Sequence, residues 1–516
     1  MQKELQIVLS PENAATIETN FALIAEKLEI PVKDIHHIKV IKKSIDARKK
    51  AIKINLKLKI YIQEDYQSEI LNINYPNISD KQKVIVVGAG PAGLFAALKL
   101  IQKGFKPIIL ERGKEVSERK KDIAIINRNG EINPDSNYAF GEGGAGTFSD
   151  GKLYTRSKKR GNIKNILDTL IVHGAKENIN VEAHPHIGSN KLPKIIQNIR
   201  ETILNAGGEF FFNHRVDDLI IKHNEIIGVK VNEKEFIGTA VILASGHSAK
   251  DIYYLLDKKD IALEAKDFAI GVRIEHPQEM IDKIQYHCEI KSDYLPSASY
   301  NLVAQVKNRA VYSFCMCPGG FIVPAASAPK EIVVNGMSPS ARNSKYANSG
   351  MVVQIKQEDL SNYKEYGVLA GLKYQEEIEK MTYRNGGNGQ VAPAQRMLDF
   401  VNNKLSTSIP PTSYHPGIIS SPLHMWMPED IVERLQEGFK LFNNKMRGYL
   451  TNEAVLIAIE SRTSSPIRIP RDKESLEHIQ IKNLYPCGEG AGYAGGIISA
   501  AIDGENIAEK IALKYS

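Results

Sequence analysis

The chain has 516 residues, of which 42% are hydrophobic and 25% charged, with a formal net charge of +7. This length exceeds one ordinary hydrophobic core, so two or three domains are expected. The mild charge does not by itself indicate a nucleic-acid partner, and no apolar stretch is long enough to predict a membrane span. Four cysteines do not make a disulfide framework, and the first residues lack the apolar core of a signal peptide, so we expect a cytoplasmic protein with reduced thiols.

Residues 1–78 precede the first strand–helix motif and predict a small α+β module. Leu5–Leu9 predicts a strand, and Ser10, with a proline after it, predicts the start of a helix. Residues 35–63 alternate apolar and basic, which is typical of a hairpin. Residues 64–80 are polar and aperiodic and predict a linker.

The predicted hairpin, with its turn at residues 44–48, is strongly basic. Between residues 33 and 60 the chain has ten Lys or Arg residues and two Asp residues. We favour the interpretation that they form the solvated outer face of the hairpin. The alternative is a docking surface for an anionic partner.

A glycine motif follows the module. Residues 84–87 are a β-branched apolar run that predicts a buried strand, and the chain then passes through Gly88-x-Gly90-x-x-Gly93 into a helical pattern. Gly88 suits a tight turn, Gly90 lets a pyrophosphate approach the backbone, and Gly93 lets the helix pack closely on the strand. The phosphates would lie at the positive end of the helix dipole.

A second strand, at 107–112, ends near Glu111, about 20 residues after the glycines, where a carboxylate can accept the hydroxyls of a ribose. Strand, glycines, helix, strand and acid appear in the order typical of an adenine-dinucleotide site, and the alternative is an ordinary glycine-rich turn. The residues assigned to the cofactor here are Gly88, Gly90, Pro91, Ala92, Gly93, Glu111 and Arg112.

The segment 138–152 has five glycines between residues 141 and 151. This density indicates backbone that a flat or charged group approaches closely. A floppy loop is the alternative, and we disfavour it because three aromatic residues are interleaved with the glycines. The residues assigned to the cofactor are Gly143, Gly144, Ala145, Gly146 and Thr147.

Residues 191–205 predict an amphipathic helix, and short alternating strands follow it. The predicted strands are 209–214, 216–222, 226–231 and 235–238, and an apolar strand then begins at residue 240. A small antiparallel meander before such a strand is typical of FAD enzymes with two dinucleotide-binding folds. The residues assigned to FAD here are Val216, Ala244, Ser245 and Gly246.

The end of the chain closes the cofactor domain. A strand ends at Gly488-Glu489, whose carboxylate can accept ribityl or ribose hydroxyls, and the next helix is opened by glycines. The N-terminus of that helix would stabilise the negative charge of a reduced flavin. The residues assigned to FAD are Gly488, Glu489, Gly495, Gly496 and Ile497.

These elements predict an α/β fold with a discontinuous Rossmann-like FAD-binding domain, an inserted mixed α+β substrate domain and the small N-terminal α+β module. The predicted FAD-binding domain comprises residues 79–150, 205–250 and 475–516. The substrate domain comprises residues 151–204 and 251–474.

Longer motifs along nearly the whole chain carry a family resemblance. They are 44–48, 86–93, 140–153, 314–320, 335–338, 347–349, 460–468 and 488–496. On these motifs the chain closely resembles the uncharacterised bacterial FAD-dependent dehydrogenase family, which are Rossmann-type NAD(P)/FAD-dependent oxidoreductases. The resemblance implies bound FAD and an oxidoreductase-like fold, and it implies no particular substrate.

Four polar features are candidates for chemistry. Arg462 and Arg468 precede the last cofactor strand, and each could clamp a substrate carboxylate with its planar fork; the alternative is ordinary ion pairing. Cys315 and Cys317 could form a redox dithiol, but residues i and i+2 of a regular strand share a face without an enforced disulfide geometry, so we favour a structural pair. No metal-binding motif appears in the sequence.

The sequence therefore predicts a FAD-dependent oxidoreductase that transfers a hydride between the flavin and a small anionic organic substrate. Only one dinucleotide fingerprint is present, so a dedicated NAD(P)H domain is not expected, although NAD(P)H or a protein can still be the electron donor. The alternative is a flavoprotein of tRNA modification or of another macromolecular complex, recruited through the basic module. A nucleic-acid partner is not favoured, and neither a membrane nor a metal partner is expected.

Overall fold

The structure is a computed structural model, and it describes residues 1–67, 71–155 and 161–515. Residues 68–70 of the predicted linker lie outside the described residues. No helix in the described ranges is long and apolar enough to cross a membrane. Single turns or longer stretches of 3-10 helix lie at Ile17–Thr19, Val32–Asp34, Gly144–Gly146, Glu177–Asn180 and Gln357–Leu369.

The N-terminal part forms a three-stranded antiparallel sheet with two short helices. Its elements are β1 (Gln2–Leu9), α1 (Pro11–Ala15), α2 (Phe21–Leu28), β2 (Ile35–Asp46) and β3 (Lys53–Ile62), and the strand order is β1-β3-β2. The Ser10 hydroxyl accepts from the Asn13 amide and caps α1, as the sequence predicted. The predicted hairpin is present, but its turn at 44–48 is wrong, because β2 stays paired with β3 through Asp46.

Next comes the first part of a five-stranded parallel sheet and the helices that cover it. The elements are β4 (Lys83–Val87), α3 (Pro91–Gln102), β5 (Lys106–Leu110), α4 (Val116–Asn129), α5 (Ile163–Val172), α6 (Leu192–Asn205), β6 (Glu209–Phe211), β7 (Asp218–Lys222), β8 (Glu225–Val231), β9 (Lys234–Ile237), β10 (Ala240–Leu243) and α7 (Lys250–Lys258). Because β4 and β10 are apolar on both faces, they fit the centre of a parallel sheet.

One predicted strand of the meander belongs elsewhere. Residues 209–211 form β6, which pairs in parallel with β5 at the edge of the five-stranded sheet. The antiparallel meander consists of β7, β8 and β9 alone. A short apolar run after a helix suits a parallel edge strand as well as a meander strand, and periodicity cannot separate the two.

A large, mainly antiparallel sheet follows. The elements are β11 (Glu264–Ala265), β12 (Phe268–Pro277), α8 (Gln278–Tyr286), β13 (Val303–Val306), β14 (Arg309–Pro324), β15 (Val334–Met337), β16 (Tyr346–Ile355), α9 (Ala370–Asn385), β17 (Ala392–Arg396), α10 (Met397–Val401), β18 (Ile418–Ser420), α11 (Leu423–Trp426), α12 (Glu429–Lys445), β19 (Val455–Glu460) and β20 (Ile467–Arg468). Its strand order is β13-β14-β16-β12-β19-β17-β18, with β15 paired to β14. The apolar face of α12, which includes Ile431, Leu435 and Phe439, is buried.

The chain then returns to the parallel sheet with β21 (Leu484–Pro486) and α13 (Ile497–Tyr515), which gives the strand order β21-β10-β4-β5-β6. Helix α13 packs directly on α3. A Cβ at Gly504 would lie 2.1 Å from the Ala92 carbonyl oxygen, so glycine is required for this close approach. This contact holds the first and last segments of the sheet together. The carboxyl ends of β4, β10 and β21 lie at one edge of the sheet.

The buried apolar residues of the N-terminal module, including Ile24, Ile38 and Leu58, belong to the same core as those of the large sheet, including Ile274 and Phe439. Two further cores cover the two faces of the parallel sheet. At about 1.5–3 kcal/mol for each fully buried aliphatic or aromatic side chain, these shared cores hold the parts of the molecule in fixed relation.

Candidate functional site

The turn between β4 and α3 has the geometry of a phosphate cradle. Gly88 has a φ of +102°, and a Cβ there would lie 2.5 Å from the Ala244 carbonyl oxygen. A Cβ at Gly93 would lie 2.0 Å from the Gly88 carbonyl oxygen. Glycine is therefore required at both positions by close contacts with the protein's own backbone. Gly90 is different, because a Cβ there would approach only the Gly144 Cα, at 3.9 Å.

The glycine-rich segment lies directly against this cradle. The Gly143 amide donates to the Ala89 carbonyl at 2.9 Å. A Cβ at Gly144 would lie 3.0 Å from the Gly90 Cα, and one at Gly146 would contact Pro91. The structure thus brings together two motifs that are about 50 residues apart in the sequence.

A buried arginine that the sequence analysis missed fixes this segment. The Arg119 guanidinium, on α4, donates to the backbone carbonyls of Asn137, Tyr138 and Glu142 at 2.8–3.0 Å. Burial lowers the pKa of Arg119 to about 10, so the guanidinium stays charged at neutral pH. Three charge-assisted hydrogen bonds hold the loop in one conformation. The sequence offered no signal beyond one arginine in a polar helix.

Glu111 lies at the end of β5 and is buried. Its Oε2 accepts from the Ala89 amide, and its Oε1 accepts from the amides of Gly113 and Gly141, each at 2.9 Å. The carboxylate therefore ties three loops together, and Oε2 keeps acceptor capacity for a further donor. Arg112 is engaged by Asp135 and Asp251 and lies over the Phe140 ring.

The remaining assigned segments converge on the same edge of the sheet. The Ala244 amide donates to Val87, and a Cβ at Gly490 would lie 2.6 Å from the Gly246 carbonyl oxygen. The Gly488 amide donates to Asp503 on α13 at 2.8 Å. Val216 is buried in the core between the parallel sheet and the meander. Ser245 follows β10 and Glu489 follows β21, at the same edge.

An adenine-dinucleotide group fits this arrangement. Cβ atoms at Gly495 and Gly496 would meet no protein atom within 4 Å, and Gly90 is nearly as open. No contact of the described residues explains glycine at these three positions, whereas the close approach of a bound group does. Gly246 is equally open, but its φ of +75° already favours glycine. Ile497 opens α13 beside Gly146, so a helix N-terminus faces the same space, as it should for an anionic group.

A small cavity of about 60 Å³ adjoins the glycine-rich segment beside the cradle. It lies between the glycine-rich segment, residues 247–248 and the large sheet. His247 lines it, and its Nδ1 is 3.3 Å from the Glu489 Oε2, while its buried Nε2 has no hydrogen-bond partner among the described residues. Other lining residues include Phe148, Ser149, Asn335, Gly336, Glu460 and Arg462.

Arg462, for which a carboxylate clamp was predicted, contacts carboxylates of the protein itself. Its Nε and Nη2 donate to the two oxygens of Glu379 at 3.1 Å, and Nη2 also lies 3.4 Å from Glu331. Its Nη1 donates to Ser327 at 2.7 Å. The fork of Arg462 therefore already binds an internal carboxylate, and a substrate would have to displace it.

Lys250 completes this ion cluster. Its Nζ lies 3.0 Å from Glu331 and 2.9 Å from Glu379. Although burial opposes it, the charges of Arg462 and Lys250 hold the pKa of Glu379 well below its usual range. Two cations and two carboxylates thus balance one another beside the cavity. Sequence reasoning missed Lys250 and both glutamates, because their distances in the chain carry no pattern.

Arg468 is less engaged. Its Nη1 lies 3.5 Å from Glu264, its guanidinium lies over the Tyr493 ring at 5.6 Å, and its Nε has no hydrogen-bond partner in the described ranges. A Cβ at Gly492 would lie 3.2 Å from the Arg468 Cα, so this arginine borders the last glycine segment. It does not line the cavity, and its role with substrate stays a prediction.

Cys315 and Cys317 lie in a polar cluster behind the cavity wall. The Lys152 Nζ is 3.6 Å from both sulfur atoms, and the Arg273 Nη2 is 3.5 Å from the Cys317 Sγ. Arg273 is fully buried and pairs with Glu460 at 2.9 Å. The sequence analysis missed Arg273, which lies in the middle of an otherwise apolar strand. No cluster of metal-ligand geometry occurs among the residues that the structure describes.

Profiles of three domain families match the chain. The family described as "FAD-dependent protein, C-terminal domain-like" matches residues 267–463, and "FAD binding domain" matches residues 81–128. A domain family of unknown function matches residues 1–61. The two FAD families confirm the cofactor that the motifs predicted.

Relatives and solved structures of similar sequence or fold were also found. An uncharacterized protein of Clostridium beijerinckii is 41% identical over 512 residues, which is 95% of each chain. The thiamine thiazole synthase of Methanococcus maripaludis is 25% identical over 194 residues, covering 35% of this chain and 62% of the synthase. A solved geranylgeranyl bacteriochlorophyll reductase-like protein of Thermoplasma acidophilum has 13% identity and a TM-score of 0.35, over 84% of this chain and 79% of that chain. Such a TM-score carries no argument about function.

Proposed function

The chain belongs to the family of FAD-dependent, oxidoreductase-like proteins that includes the Clostridium beijerinckii relative, and on that premise we propose that it transfers a hydride between FAD and an organic substrate held in the cavity beside the cradle. When bound, FAD supplies the two-electron acceptor or donor for this chemistry. The observation that carries the proposal is the position of the cavity, between the glycine cradle and the large sheet.

The residues that would hold FAD follow from the geometry of the cradle. The backbone around Gly90 would bind the pyrophosphate, and the free acceptor capacity of Glu111 suits a ribose hydroxyl. The open backbone at Gly495 and Gly496, with the N-terminus of α13, would stabilise negative charge on the flavin. These assignments include the residues predicted from the sequence. Arg119 and Asp503 are added because they bind the backbone of the glycine segments and hold them in place.

A proton must accompany the hydride, and His247 is placed to hold it. The imidazole lines the cavity, and Glu489 lies against its Nδ1, so Glu489 orients the ring and leaves Nε2 for the substrate. A buried imidazole nitrogen without a partner is costly unless a ligand satisfies it.

Of the two arginines assigned to an anionic substrate, Arg468 remains the candidate. Its guanidinium has one weak ion pair, with Glu264, and an unpartnered Nε. An extended acid whose reacting carbon occupies the cavity would have to reach past the last glycine segment to meet it. The anionic nature of the substrate is therefore the part of the proposal that depends on Arg468.

The test is a screen for flavin bleaching without oxygen, with a panel of organic acids, alcohols and amines, followed by variants that fill the cavity. Ala325 lines the cavity, and Ala325→Leu should leave FAD content unchanged while slowing bleaching by the identified substrate at least about tenfold. Ala328→Leu is the matched control, because Ala328 lies three residues away and does not line the cavity. Equal bleaching rates in both variants would refute the cavity as the substrate site.

His247 is tested by its own variant. His247→Gln should slow bleaching by substrate about a hundredfold, because a positioned acid–base group contributes on that scale. Light-driven reduction of the same flavin, which needs no substrate proton transfer, should proceed at the wild-type rate. A variant that bleaches normally with substrate shows that His247 holds no reacting proton.

A further inference from the structure

We propose that Cys315 and Cys317 form a redox-active dithiol that gives two electrons to FAD, with Cys315 as the thiolate and Cys317 as the resolving thiol. The proposal rests on the proposed function, because it names the electron donor to the same flavin. It reverses the preference of the sequence analysis for a structural pair.

The strand that carries the two cysteines is not regular. Cys315 has a φ of +44°, in the left-handed region that residues other than glycine rarely adopt, and the pairing of β14 with β16 shifts register between Phe314 and Cys317. In a regular strand, residues i and i+2 lie about 6.6 Å apart, at the long end of the Cα–Cα range for a disulfide. The bulge bends the strand between the cysteines, so the argument from regular geometry does not hold here.

The two sulfur atoms also share one cation. The Lys152 Nζ lies 3.6 Å from each of them, and the Cys317 Sγ lies 3.3 Å from the Cys315 carbonyl oxygen. Both side chains therefore point to the same position, occupied by Lys152. A cation this close to both sulfur atoms favours the thiolate form of one of them.

Three cations surround the two cysteines. They are Lys152, Arg273 and Arg342, and the carboxylates that pair with them are Asp150, which pairs with Lys152 and Arg342, and Glu460, which pairs with Arg273. Glu275 also faces Arg273, and burial raises the pKa of Glu275 and raises that of Glu460 to about 7. Two further polar rings adjoin the cluster: His186, whose pKa burial lowers, and Tyr300, whose pKa burial raises to about 12, so both are neutral near pH 7. A thiolate at Cys315 would lie 3.6 Å from the Lys152 ammonium group.

The ionisation of the two thiols follows from these contacts. A hydrogen bond from Cys317 and the charges of Lys152 and Arg273 hold the pKa of Cys315 well below its usual range, against the effect of burial. The same hydrogen bond, together with burial, raises the pKa of Cys317. One accessible thiolate and one protonated partner is the arrangement of redox dithiols. Cys315 is half-buried and Cys317 is fully buried, in agreement with these roles.

The cluster adjoins the proposed substrate cavity, which lies beside the cradle. Glu460, which pairs with Arg273, lines that cavity, and so does Gly336, where a Cβ would lie 2.0 Å from the Arg273 Nη2. Lys152 ends the glycine-rich segment, three residues after Ser149 of the cavity wall. One layer of side chains thus separates the dithiol from the cavity.

The step balances as a two-electron exchange. A bond forms between the two sulfur atoms, the S–H bond of Cys317 breaks, and two electrons pass to oxidised FAD. The proton released from Cys317 goes with them, so the products are the disulfide and the reduced flavin anion that carries one proton. The negative charge of the Cys315 thiolate is carried over to the reduced flavin, and no other reactant is needed.

The decisive experiment measures how many electrons the protein takes up per FAD. The FAD-containing protein is first equilibrated with oxidised glutathione, freed of it, and titrated anaerobically with dithionite. We expect the wild-type protein to take up about four electrons per FAD, and Cys317→Ser and Cys315→Ser about two. Cys288→Ser is the control, since Cys288 lies outside the cluster, and it should still take up about four. Wild-type uptake of about two electrons overturns the proposal.

Mass spectrometry of the same samples gives a readout that does not depend on the flavin. Before titration, a peptide linking Cys315 and Cys317 should have lost two hydrogen atoms, and reduction should restore them. In the reduced protein at pH 6.5, iodoacetamide should modify Cys315 about tenfold faster than Cys288, because the thiolate is the nucleophile. Lys152→Met should remove most of that difference.

The outcomes separate this proposal from the proposed function. Uptake of two electrons by a flavin that organic substrates still bleach refutes the dithiol and leaves the hydride transfer intact. Uptake of four electrons with no substrate found supports the dithiol alone. If Lys152→Met does not fold, the two serine variants still decide the question. Free thiols at both cysteines after the treatment with oxidised glutathione also overturn the dithiol proposal.

Discussion

At the scale of single residues, glycine occurs in the cradle for two different physical reasons. A side chain at Gly93 would collide with the Gly88 carbonyl, so Gly93 is required by the fold itself. Gly90 has extended backbone angles that any residue adopts, with φ of −74°, and no protein atom closer than 3.9 Å to its missing Cβ. Nothing in the described part of the fold therefore requires glycine at position 90, as we expect where a cofactor approaches the backbone.

We accordingly expect Gly90→Val to fold with nearly wild-type stability but to purify without flavin absorbance, because the side chain fills the position of the pyrophosphate. Gly93→Val should lower the stability of the protein whether or not FAD is added. Absorbance per polypeptide and the midpoint of urea unfolding measure the two effects. A yellow Gly90→Val protein would contradict the assignment of the cradle.

Arg462 and Arg468 can be separated in the same manner. Arg462 is buried against Glu379 and Glu331, so Arg462→Met should lower the free energy of unfolding by about 3–5 kcal/mol, since it leaves buried carboxylates unpaired. Arg468 is partly exposed, and Arg468→Met should lower the free energy of unfolding by about 1 kcal/mol or less. Urea unfolding at neutral pH measures both. Equal and small changes would show that the ion cluster is not a structural unit.

At the scale of elements, the packing of β12 buries a titratable group. His276 lies near the end of this strand, fully buried, and its Nε2 donates to the Tyr449 carbonyl at 2.9 Å. Burial lowers the pKa of His276 to about 4, against a weaker opposite effect of that hydrogen bond. The folded state thus keeps His276 neutral where the unfolded chain, with a pKa of about 6.5, takes up a proton.

The sign of the pH dependence follows. The stability associated with neutral His276 is complete above pH 6.5 and is lost as the pH falls toward 4, by about 3 kcal/mol in all. We expect His276→Gln, which keeps a donor for the Tyr449 carbonyl, to lose less stability than wild type between pH 7 and pH 4. His184→Gln, at an exposed site, is the control and should behave as wild type. Parallel unfolding curves for all three proteins would refute this role for His276.

At the scale of the whole molecule, the N-terminal module and the large sheet share one core, whereas the parallel sheet begins only at β4. The Lys43 amide also donates to the Val181 carbonyl at 2.9 Å, which fixes the basic hairpin against the segment before α6. The module therefore contributes to stability of the large-sheet side and contributes no strand to the cradle.

A protein that starts near Ser79 should accordingly keep FAD, because every element of the cradle lies after residue 80. It should also expose apolar surface that the module covers, and thus bind a hydrophobic dye and unfold at a lower urea concentration. Flavin absorbance per polypeptide and dye fluorescence measure these effects. A soluble truncated protein without flavin would show that the module belongs to the cofactor-binding unit.

The sequence by itself determined the local features of this protein. The cradle turn and the helix after it are predicted by glycine spacing and apolar periodicity within about 20 residues of the chain. The cofactor was predictable for the same reason. The family motifs also marked the segments at 140–153 and 314–320, although not how they are arranged.

Only the tertiary structure decided which distant charges meet. The sequence did not indicate the ion pairs of Arg462, because Glu379 and Glu331 lie about 80 and 130 residues before it. The assignment of residues 209–211 to the meander was wrong because the pairing of a strand depends on the whole sheet. Likewise, Lys152 lies more than 160 residues from the cysteines whose sulfur atoms it contacts. Electrostatic pairing depends on distance in space and leaves no period in the chain, so the chemistry of Cys315 and Cys317 became visible only in the folded molecule.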